Sequence, residues 1–279
     1  MTSRPAAKSL KNEPPEIVPP PQEIAHVSHY RQKAGLQPVP RKILPHLECV
    51  ELLTHGRGWV RDGEGWRELL PGDLVWNSPG DETIGRSDPV RPYGCLAVVF
   101  KVRQVKGRGI RRFSIWPDQQ EVRRLTEQAV RAFLDPSFDR HTLMAYLHGT
   151  LLFKVRCYEA LRKVERYPEG VRLVLDRIER GYGEALSIQD LAREAGWSPP
   201  HLHAVFRAHV GSTPHQSLIE RRLRAAKEKL VATTDSVKEI AAACGFSDAP
   251  AFVHAFKKSA GVTPVVFRSH YLRGPSPRE

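Results

Sequence analysis

The sequence predicts a two-domain chain: a β-rich domain with helices at its C-terminal end, followed by an all-α domain with two helix-turn-helix motifs joined by a linking helix. Three observations predict this fold. The 279 residues are enough for two hydrophobic cores. Short apolar runs between turn residues give way to helical spacing of apolar residues after Pro117. A short pattern that starts at Leu191 returns at Ile240.

The N-terminal part divides into a tail and a β domain. Residues 1–36 contain "EPPEIVPPPQE", and proline-rich polar composition predicts a disordered tail. Residues 37–116 contain apolar runs such as "LECVELLT", "DLVWN" and "CLAVVFKV", separated by "GRG", "DGEG" and "PGD". Such runs with tight turns between them predict a compact β domain, a sandwich or a barrel.

The spacing of apolar residues predicts two helices within residues 117–167. Val122, Leu125 and Ala129 recur at helical spacing, and Leu143 and Leu147 do so after a break. Two interpretations stay open for these helices, because they could cover the chain's own sheet or form the seam of a homodimer. "RYPEG" at residues 166–170 breaks the second helix. We place the domain boundary there, with the all-α domain at residues 168–273 and a tail at 274–279.

The repeat in the all-α domain follows the pattern of a helix, a tight turn and a second helix. "LAREAGWS" at 191–198 aligns with "IAAACGFS" at 240–247. In each copy the glycine can end the first helix with a positive φ, the aromatic residue fills the corner, and Ser198 or Ser247 can cap the second helix. The predicted core of the two motifs consists of Leu191, Gly196, Trp197, Phe206, Ile240, Gly245, Phe246 and Phe256.

One amphipathic helix that starts at Pro214 links the two copies. It contains "RRLRAAKEKL" and runs for about 20 residues, which at about 1.5 Å per residue is roughly 30 Å, close to one turn of DNA. This length would let two recognition helices enter successive major grooves on one side of a duplex. The formal net charge of +12 is compatible with a polyanionic partner.

Residues 168–273 resemble the DNA-binding domain of the AraC/XylS family of bacterial transcription regulators. The resemblance rests on the two unequal motifs, the linking helix and "IAAACGFSDAPAFVHAFKKSAGVTP". The stretch "LLPGDLVWNSPGDE" in the β domain is similar to the cupin-like effector domain of many members. The resemblance implies a sequence-specific, ligand-responsive transcription regulator, more often an activator, that is not an enzyme and has no cofactor.

The partners that follow are double-stranded promoter DNA, an unidentified small-molecule effector and, as candidates, RNA polymerase and a second copy of the chain. The sequence has no run of 18 apolar residues and no apolar N-terminal core. We therefore expect no membrane contact and a cytoplasmic location.

Side chains that point away from the predicted core are the candidates for DNA contact. Those expected to face base edges are Pro200, His201, His203, Ala204, Ala249, Pro250, Val253 and His254. Those expected to meet phosphates are Arg207, Arg221, Arg222, Lys229, Lys257 and Lys258. Long polar residues are few in the first set, so we expect DNA shape to contribute to recognition.

The β domain offers an effector pocket but no metal site. The candidate pocket residues are Trp59, Trp66, Trp76, Arg86 and Tyr93. His46, His55 and Glu82 lack the spacing of a metal cluster. Four scattered cysteines indicate reduced thiols rather than disulfides. Two alternatives remain: a non-specific architectural DNA binder, and a cupin-type enzyme with an attached helical domain.

Overall fold

The computed structural model describes residues 18–103 and 109–273. These residues form two compact units that divide between Lys163 and Val164. The first unit is β-rich and ends in two helices, and the described residues of the second are helices and connecting turns. Residues 1–17 and the predicted tail at 274–279 lie outside the described residues.

The described part of the β unit contains two antiparallel sheets. Its strands are β1 (Glu23–Arg31), β2 (Leu47–His55), β3 (Gly58–Asp62), β4 (Gly65–Leu69), β5 (Asp73–Asn77), β6 (Arg86–Ser87), β7 (Gly94–Lys101) and β8 (Phe113–Ile115). The larger sheet has the order β1-β7-β2-β5-β8 and the smaller has the order β4-β3-β6. Non-consecutive neighbours make this a crossed antiparallel arrangement rather than a simple meander.

Strand β1 corrects the prediction of a disordered tail over residues 1–36. Residues 23–31 pair with β7, and Ile24 and Val27 are buried. The register shifts between Ile24 and His26. This bulge breaks the alternation of polar and apolar residues that identifies a strand in a sequence, so the prediction was wrong here.

Two helices cover one face of the larger sheet. Helix α1 (Gln119–Leu134) and helix α2 (Arg140–Glu165) share a buried core with that sheet. Val122 and Leu147 from the helices and Val50, Trp76 and Val98 from the strands are all at most 2% exposed. The apolar stripes of both helices therefore face the chain's own sheet.

The opposite face of the larger sheet packs on the smaller sheet. Leu53 and Val75 of the larger sheet join Val60 and Leu69 of the smaller one in a second core. Each of these four side chains is at most 1% exposed. Successive strand residues point to opposite faces, so β2 supplies Val50 and Leu52 to the helix side and Glu51 and Leu53 to the space between the sheets.

The helical unit contains seven helices in its described residues. They are α3 (Glu169–Gly181), α4 (Ile188–Glu194), α5 (Pro199–Val210), α6 (Pro214–Ala232), α7 (Val237–Ala243), α8 (Ala249–Ala260) and α9 (Pro264–Arg273). One core forms around α3, α4 and α5, and another around α7 and α8, with α6 contributing to both. All four cysteines are free thiols, and Cys49, Cys95 and Cys244 are buried. Within the described ranges, no helix combines the length and apolar character needed to cross a bilayer.

Candidate nucleic-acid interface

Helices α4 and α5 form the first helix-and-turn pair. Ser187 and Asp190 make a capping box at the start of α4, and the hydrogen bonds from Ser187 lower the pKa of the Asp190 carboxyl. Gly196 adopts φ +68 in the turn, a left-handed conformation that glycine reaches without a Cβ clash. Ser198 then caps α5 by accepting a hydrogen bond from the His201 backbone N–H at 3.4 Å.

Helices α7 and α8 form the second pair with one difference at the cap. Gly245 has φ +76 at the matching turn position. The cap of α8 is Asp248, whose Oδ1 accepts from the Ala251 N–H at 2.6 Å. The predicted cap Ser247 instead donates its hydroxyl to Asp248. The reason is one extra residue in the second copy. Phe206 follows Gly196 by ten positions, whereas Phe256 follows Gly245 by eleven.

The Asp248→Ala substitution is expected to lower the free energy of unfolding of the helical unit by about 1 kcal/mol, because it removes the only side-chain cap described for α8. Ser247→Ala is the matched control, and it should change stability by much less. Urea unfolding of the two variants beside the parent protein checks this. Equal losses for both variants would show that the cap assignment is wrong.

Phe206 and Phe256 occupy equivalent places in the two pairs. Both are fully buried, as are Leu202 and Phe252 one turn earlier. Trp197 packs against helix α3, where a Cβ placed on Gly170 would lie 2.5 Å from its ring. These contacts fix the second helix of each pair against its own core and leave its outer face to solvent.

Helix α6 holds the two pairs in one arrangement. The Arg222 guanidinium donates to the backbone oxygens of Tyr182 and Glu184, at 2.8 Å each. Tyr182 packs against both helical cores. A Cβ on Gly245 would lie 2.7 Å from the Tyr182 oxygen. The turn of the second pair therefore lies directly against the end of α3, beside the first pair.

A second arginine, which the sequence pattern did not indicate, links the end of α6 to the segment before α7. Arg268 of α9 donates to the backbone oxygens of Leu230 and Asp235, at 3.1 and 2.6 Å. Because a guanidinium carries several donors in one plane, one side chain can satisfy carbonyls at the end of one helix and before the next.

The eight residues predicted to face bases all lie on the early part of α5 or α8. Pro200, His201, Ala204, Pro250 and His254 are exposed. The other three, Ala249, Val253 and His203, are half-buried. The ring of His201 meets that of Trp197 edge-on at 5.1 Å, which restricts its orientation.

The six residues predicted to meet phosphates divide into two groups. Arg207, Lys257 and Lys258 are exposed, and Lys229 is half-buried. Arg221 and Arg222 are half-buried and make contacts within the protein, and their phosphate contact stays a prediction. Arg221 forms an ion pair with Glu179 at 2.8 Å and lies 4.0 Å from the centre of the Tyr182 ring, so its charge is already compensated.

The Arg222 guanidinium is committed to the two carbonyls described above, and burial lowers its pKa. The sequence pattern placed both arginines on a polar face of α6. That face packs against the end of α3, where the arginines have a structural role.

A groove of about 1010 Å³ between α6 and α8 was also not anticipated. Its walls include His254 and Lys258 from α8 and the exposed His215 and Gln216 from α6. In the sequence, only the polar residues at the start of α6 could have indicated this groove. The packing of α6 beside α8 is what brings them to the same surface as the α8 residues. The surface that carries the base-facing candidates thus extends beyond the two second helices.

The predicted effector-pocket residues of the β unit do not come together. Trp59, Trp66 and Arg86 line one surface pocket of about 530 Å³. Trp76 is fully buried under α2 and its indole N–H donates to Glu48 at 2.8 Å. Tyr93 lies in the core between the sheets. The prediction of one pocket was therefore wrong for these two residues.

No group of three or more potential metal-binding side chains occurs within residues 18–103 and 109–273. His55 lies beside His29 instead, with ring centres 5.8 Å apart, and Thr54 Oγ1 lies within hydrogen-bond distance of both rings. Burial and the charge of Arg31 lower the pKa of both histidines.

Comparison with known proteins shows that the sequence is similar to those of transcriptional regulators. A family model described as a helix-turn-helix domain matches residues 191–270. The chain is 35% identical over 207 residues to the bifunctional transcriptional activator/DNA repair enzyme AdaA of Bacillus subtilis, covering 74% of this chain and 82% of that protein. It is 29% identical over 123 residues to the transcriptional activator RhaS of Pectobacterium carotovorum, covering 44% of each.

Two solved structures are similar to a smaller share of the chain than the AdaA match. The DNA-binding domain of AdpA in complex with a target DNA is 28% identical, covers 39% of this chain and 100% of that one, and has a TM-score of 0.37. An AraC-type DNA-binding regulator from Chromobacterium violaceum is 29% identical, covers 38% and 95%, and has a TM-score of 0.36.

Proposed function

Because this chain belongs to the AraC/XylS family of DNA-binding transcriptional regulators, we propose that it reads promoter DNA sequence-specifically through both helical pairs. The observation that carries the proposal is the rigid pairing of α4–α5 and α7–α8 along α6, with the outer faces of α5 and α8 open to solvent. AdaA and RhaS are named as activators. We propose the same direction of control here.

The length of the linking helix supports simultaneous binding by both pairs. Helix α6 has 19 residues, which corresponds to about 28 Å at about 1.5 Å per residue. Half-sites one helical turn apart are separated by about 34 Å. The Arg222 contacts hold the two pairs together, so the protein would select DNA whose half-sites match a set spacing.

Base readout in this proposal depends on two histidines. We assign hydrogen bonds with base edges to His203 of α5 and His254 of α8, since the ring of His201 is engaged by Trp197. Ala204, Ala249 and Val253 would provide apolar contact to thymine methyl groups. Exposed Arg207, Lys257 and Lys258 would bind phosphates.

Selection of genomic fragments by the full chain at physiological salt tests sequence reading. We expect a few sites that share two short motifs about ten base pairs apart. Replacing His203 and His254 together with alanine should reduce the ratio of specific to non-specific affinity by about tenfold or more, because a good base contact provides about 1–3 kcal/mol of discrimination. His270→Ala, an exposed histidine of α9, is the matched control.

A charge variant separates affinity from sequence reading. Lys257→Ala should weaken binding to all sequences and reduce the salt dependence by about one phosphate contact. Uniform recovery across the genome, or a double histidine variant with unchanged selectivity, would contradict the proposal and favour the non-specific architectural binder.

The outer face of α2 is the surface that we propose for the candidate homodimer. Opposite the stripe that covers the sheet, Tyr146, Phe153 and Ala160 follow one another at seven-residue intervals, and Tyr146 and Phe153 are 47% and 64% exposed. An apolar seven-residue repeat is typical of helices that pair. The fragment selection also tests for a dimer, because a dimer would enrich fragments that carry two copies of the site. If the parent chain sediments as a dimer, the Phe153→Glu variant should sediment as a monomer.

We propose that the β unit responds to a small molecule that changes DNA binding. The surface pocket with Trp59, Trp66 and Arg86 supports this role.

The absence of a metal-ligand cluster among the described residues counts against the cupin-type enzyme, which needs three or four convergent ligands. Metal content of protein purified without chelator tests that alternative. Contact with RNA polymerase, a cytoplasmic location and the lack of enzymatic activity stay predictions, and the repair activity in the name of AdaA is not part of this proposal.

A further inference from the structure

The outer face of the three-stranded sheet carries two tryptophans and two arginines side by side. In the strand register Arg61 is opposite Trp66, and Trp59 is opposite Arg86. Alternation along β3 sends Val60 into the core between the sheets, where it is fully buried. Its neighbours Trp59 and Arg61 therefore point outward.

The Trp66 ring is held in place from several sides. The Arg86 guanidinium carbon lies 4.0 Å from the ring centre and that of Arg61 lies 4.6 Å away. Beneath the ring is Gly85, where an added Cβ would lie only 3.0 Å from a ring carbon. Gly85 itself is fixed, because its N–H donates to the Trp59 carbonyl at 3.0 Å. The indole and the two cations thus form one ordered surface.

The adjoining pocket combines aromatic walls with positive charge. Its volume is about 530 Å³ and Gln37 and Ser87 complete its lining. The Gln37 side-chain oxygen accepts from the Ser87 backbone N–H at 2.9 Å, and its amide nitrogen donates to the Ser87 backbone oxygen at 3.1 Å. The Gln37 amide and the Ser87 backbone therefore satisfy each other. The Arg86 guanidinium is left as the charged donor of the pocket lining that can face a ligand, whereas Arg61 donates to the Glu64 backbone oxygen at 3.2 Å.

Neither Arg61 nor Arg86 has an ion pair among the residues that the structure describes. The nearby carboxylates are already engaged, since Glu68 pairs with Arg57 at 3.0 Å and Asp62 lies 3.8 Å from Arg67. An anion in the pocket would therefore meet the uncompensated guanidinium of Arg86 beside indole rings, and the charge of Arg61 lies next to the same Trp66 ring.

The space between the sheets does not offer a comparable site. Leu53, Val60, Leu69 and Val75 fill it with side chains that are at most 1% exposed. The carboxylate of Glu51 there accepts hydrogen bonds from Asn77 and from the Ile84 backbone. A ligand would have to displace this core, whereas the outer pocket is open.

We propose that this outer pocket binds a planar aromatic anion, with the ring against the pocket-lining sides of Trp59 and Trp66 and the anionic group on Arg86. The two tryptophans are diagonal neighbours on antiparallel strands, and both contribute to the lining of the pocket. The proposal rests on the effector response proposed above and names the chemical class of that effector.

Calorimetric titration of the full chain with 2-naphthoate tests the proposal. We expect saturable binding at submillimolar to millimolar concentration, with no binding of uncharged 2-naphthylmethanol or of non-aromatic cyclohexanecarboxylate. Arg86→Gln should weaken 2-naphthoate about tenfold, and Arg86→Lys should weaken it less. Arg67→Gln is the matched control, because Arg67 is on the same strand as Trp66 but stacks on Phe113.

A parallel titration with adenosine monophosphate distinguishes two classes of planar aromatic anion, the nucleotides and the aromatic carboxylates. Tighter binding of the nucleotide, sensitive to Arg86→Gln, would assign the pocket to nucleotides, and tighter binding of 2-naphthoate would assign it to aromatic carboxylates. No saturable binding of either probe, or equal loss in Arg86→Gln and Arg67→Gln, would overturn the proposal. Binding without any change in DNA affinity would retain the pocket and reject its role in regulation.

Discussion

Replacing Phe256 with alanine is expected to lower the free energy of unfolding of the helical unit by about 3–5 kcal/mol. The side chain is fully buried, and its ring meets those of Phe252 and Phe267 at 5.6 and 5.4 Å between centres. Alanine would remove the transfer free energy of the ring and leave a cavity that two rigid aromatic neighbours cannot close. Phe206→Ala should have a similar effect in the first pair, where the phenylalanine is also fully buried.

Urea unfolding followed by circular dichroism measures the loss, and hydrogen exchange of α7 and α8 locates it. Val265→Ala is the control in the same unit, because Val265 is 63% exposed and should change stability by less than about 0.5 kcal/mol. DNA affinity should fall with the folded fraction in both phenylalanine variants. Promoter binding at parental strength by either variant, under conditions in which the substituted pair is unfolded, would reject binding through both pairs.

The contribution of the buried Glu51 to the stability of the β unit is expected to fall as pH rises from about 4.5 to 7, whereas the lowered pKa values of His29, His55 and His148 act in the opposite direction. The side chain is 5% exposed. Burial raises its pKa from 4.5 to about 7, while hydrogen bonds from Ile84 and Asn77 and the charge of Arg112 act in the opposite direction. The folded state therefore holds the Glu51 proton more tightly than the unfolded state does.

The sign of the effect follows from that difference. Below pH 4.5 Glu51 is protonated in both the folded and the unfolded state, so it does not lower the free energy of unfolding. Between 4.5 and 7 the unfolded state gains by ionising first, so unfolding becomes easier, and above 7 the full cost applies. The shift corresponds to a loss on the order of 3 kcal/mol.

Glu51→Gln should remove this pH dependence and raise stability above pH 7 relative to the parent chain. Thermal and urea unfolding at several pH values from 4.5 to 8 would measure the difference. Glu64→Gln, at an exposed turn, controls for loss of a negative charge. A parallel pH profile for Glu51→Gln and the parent would show that Glu51 does not ionise in this range.

Local rules predicted the helix-and-turn pairs well. Gly196 and Gly245 take the positive φ that ends the first helix of each pair, and Ser198 caps α5. These features depend on a few consecutive residues, so they can be read from the chain. The cap of α8 shows the limit of alignment by analogy, because one inserted residue moved the cap from Ser247 to Asp248.

Features that depend on which surfaces meet could not be predicted in the same way. Helical spacing showed that Arg221 and Arg222 avoid the apolar stripe of α6, but not that the end of α3 would cover them. Composition suggested tryptophans for a pocket, but strand alternation and register placed Trp59 and Trp66 outside and Trp76 in the core.

The sequence by itself determined the order of the β-rich and helical parts, the two repeated pairs and the family, because these depend on local propensity and on the spacing of apolar residues. The tertiary structure alone decided the pairing of β1 across its bulge, the role of Arg222 as a clamp and the grouping of Trp59, Trp66, Arg61 and Arg86 on one surface. The physical reason is that burial and hydrogen-bond partners depend on residues distant in the chain, whose contacts form only when the sheets and helices pack.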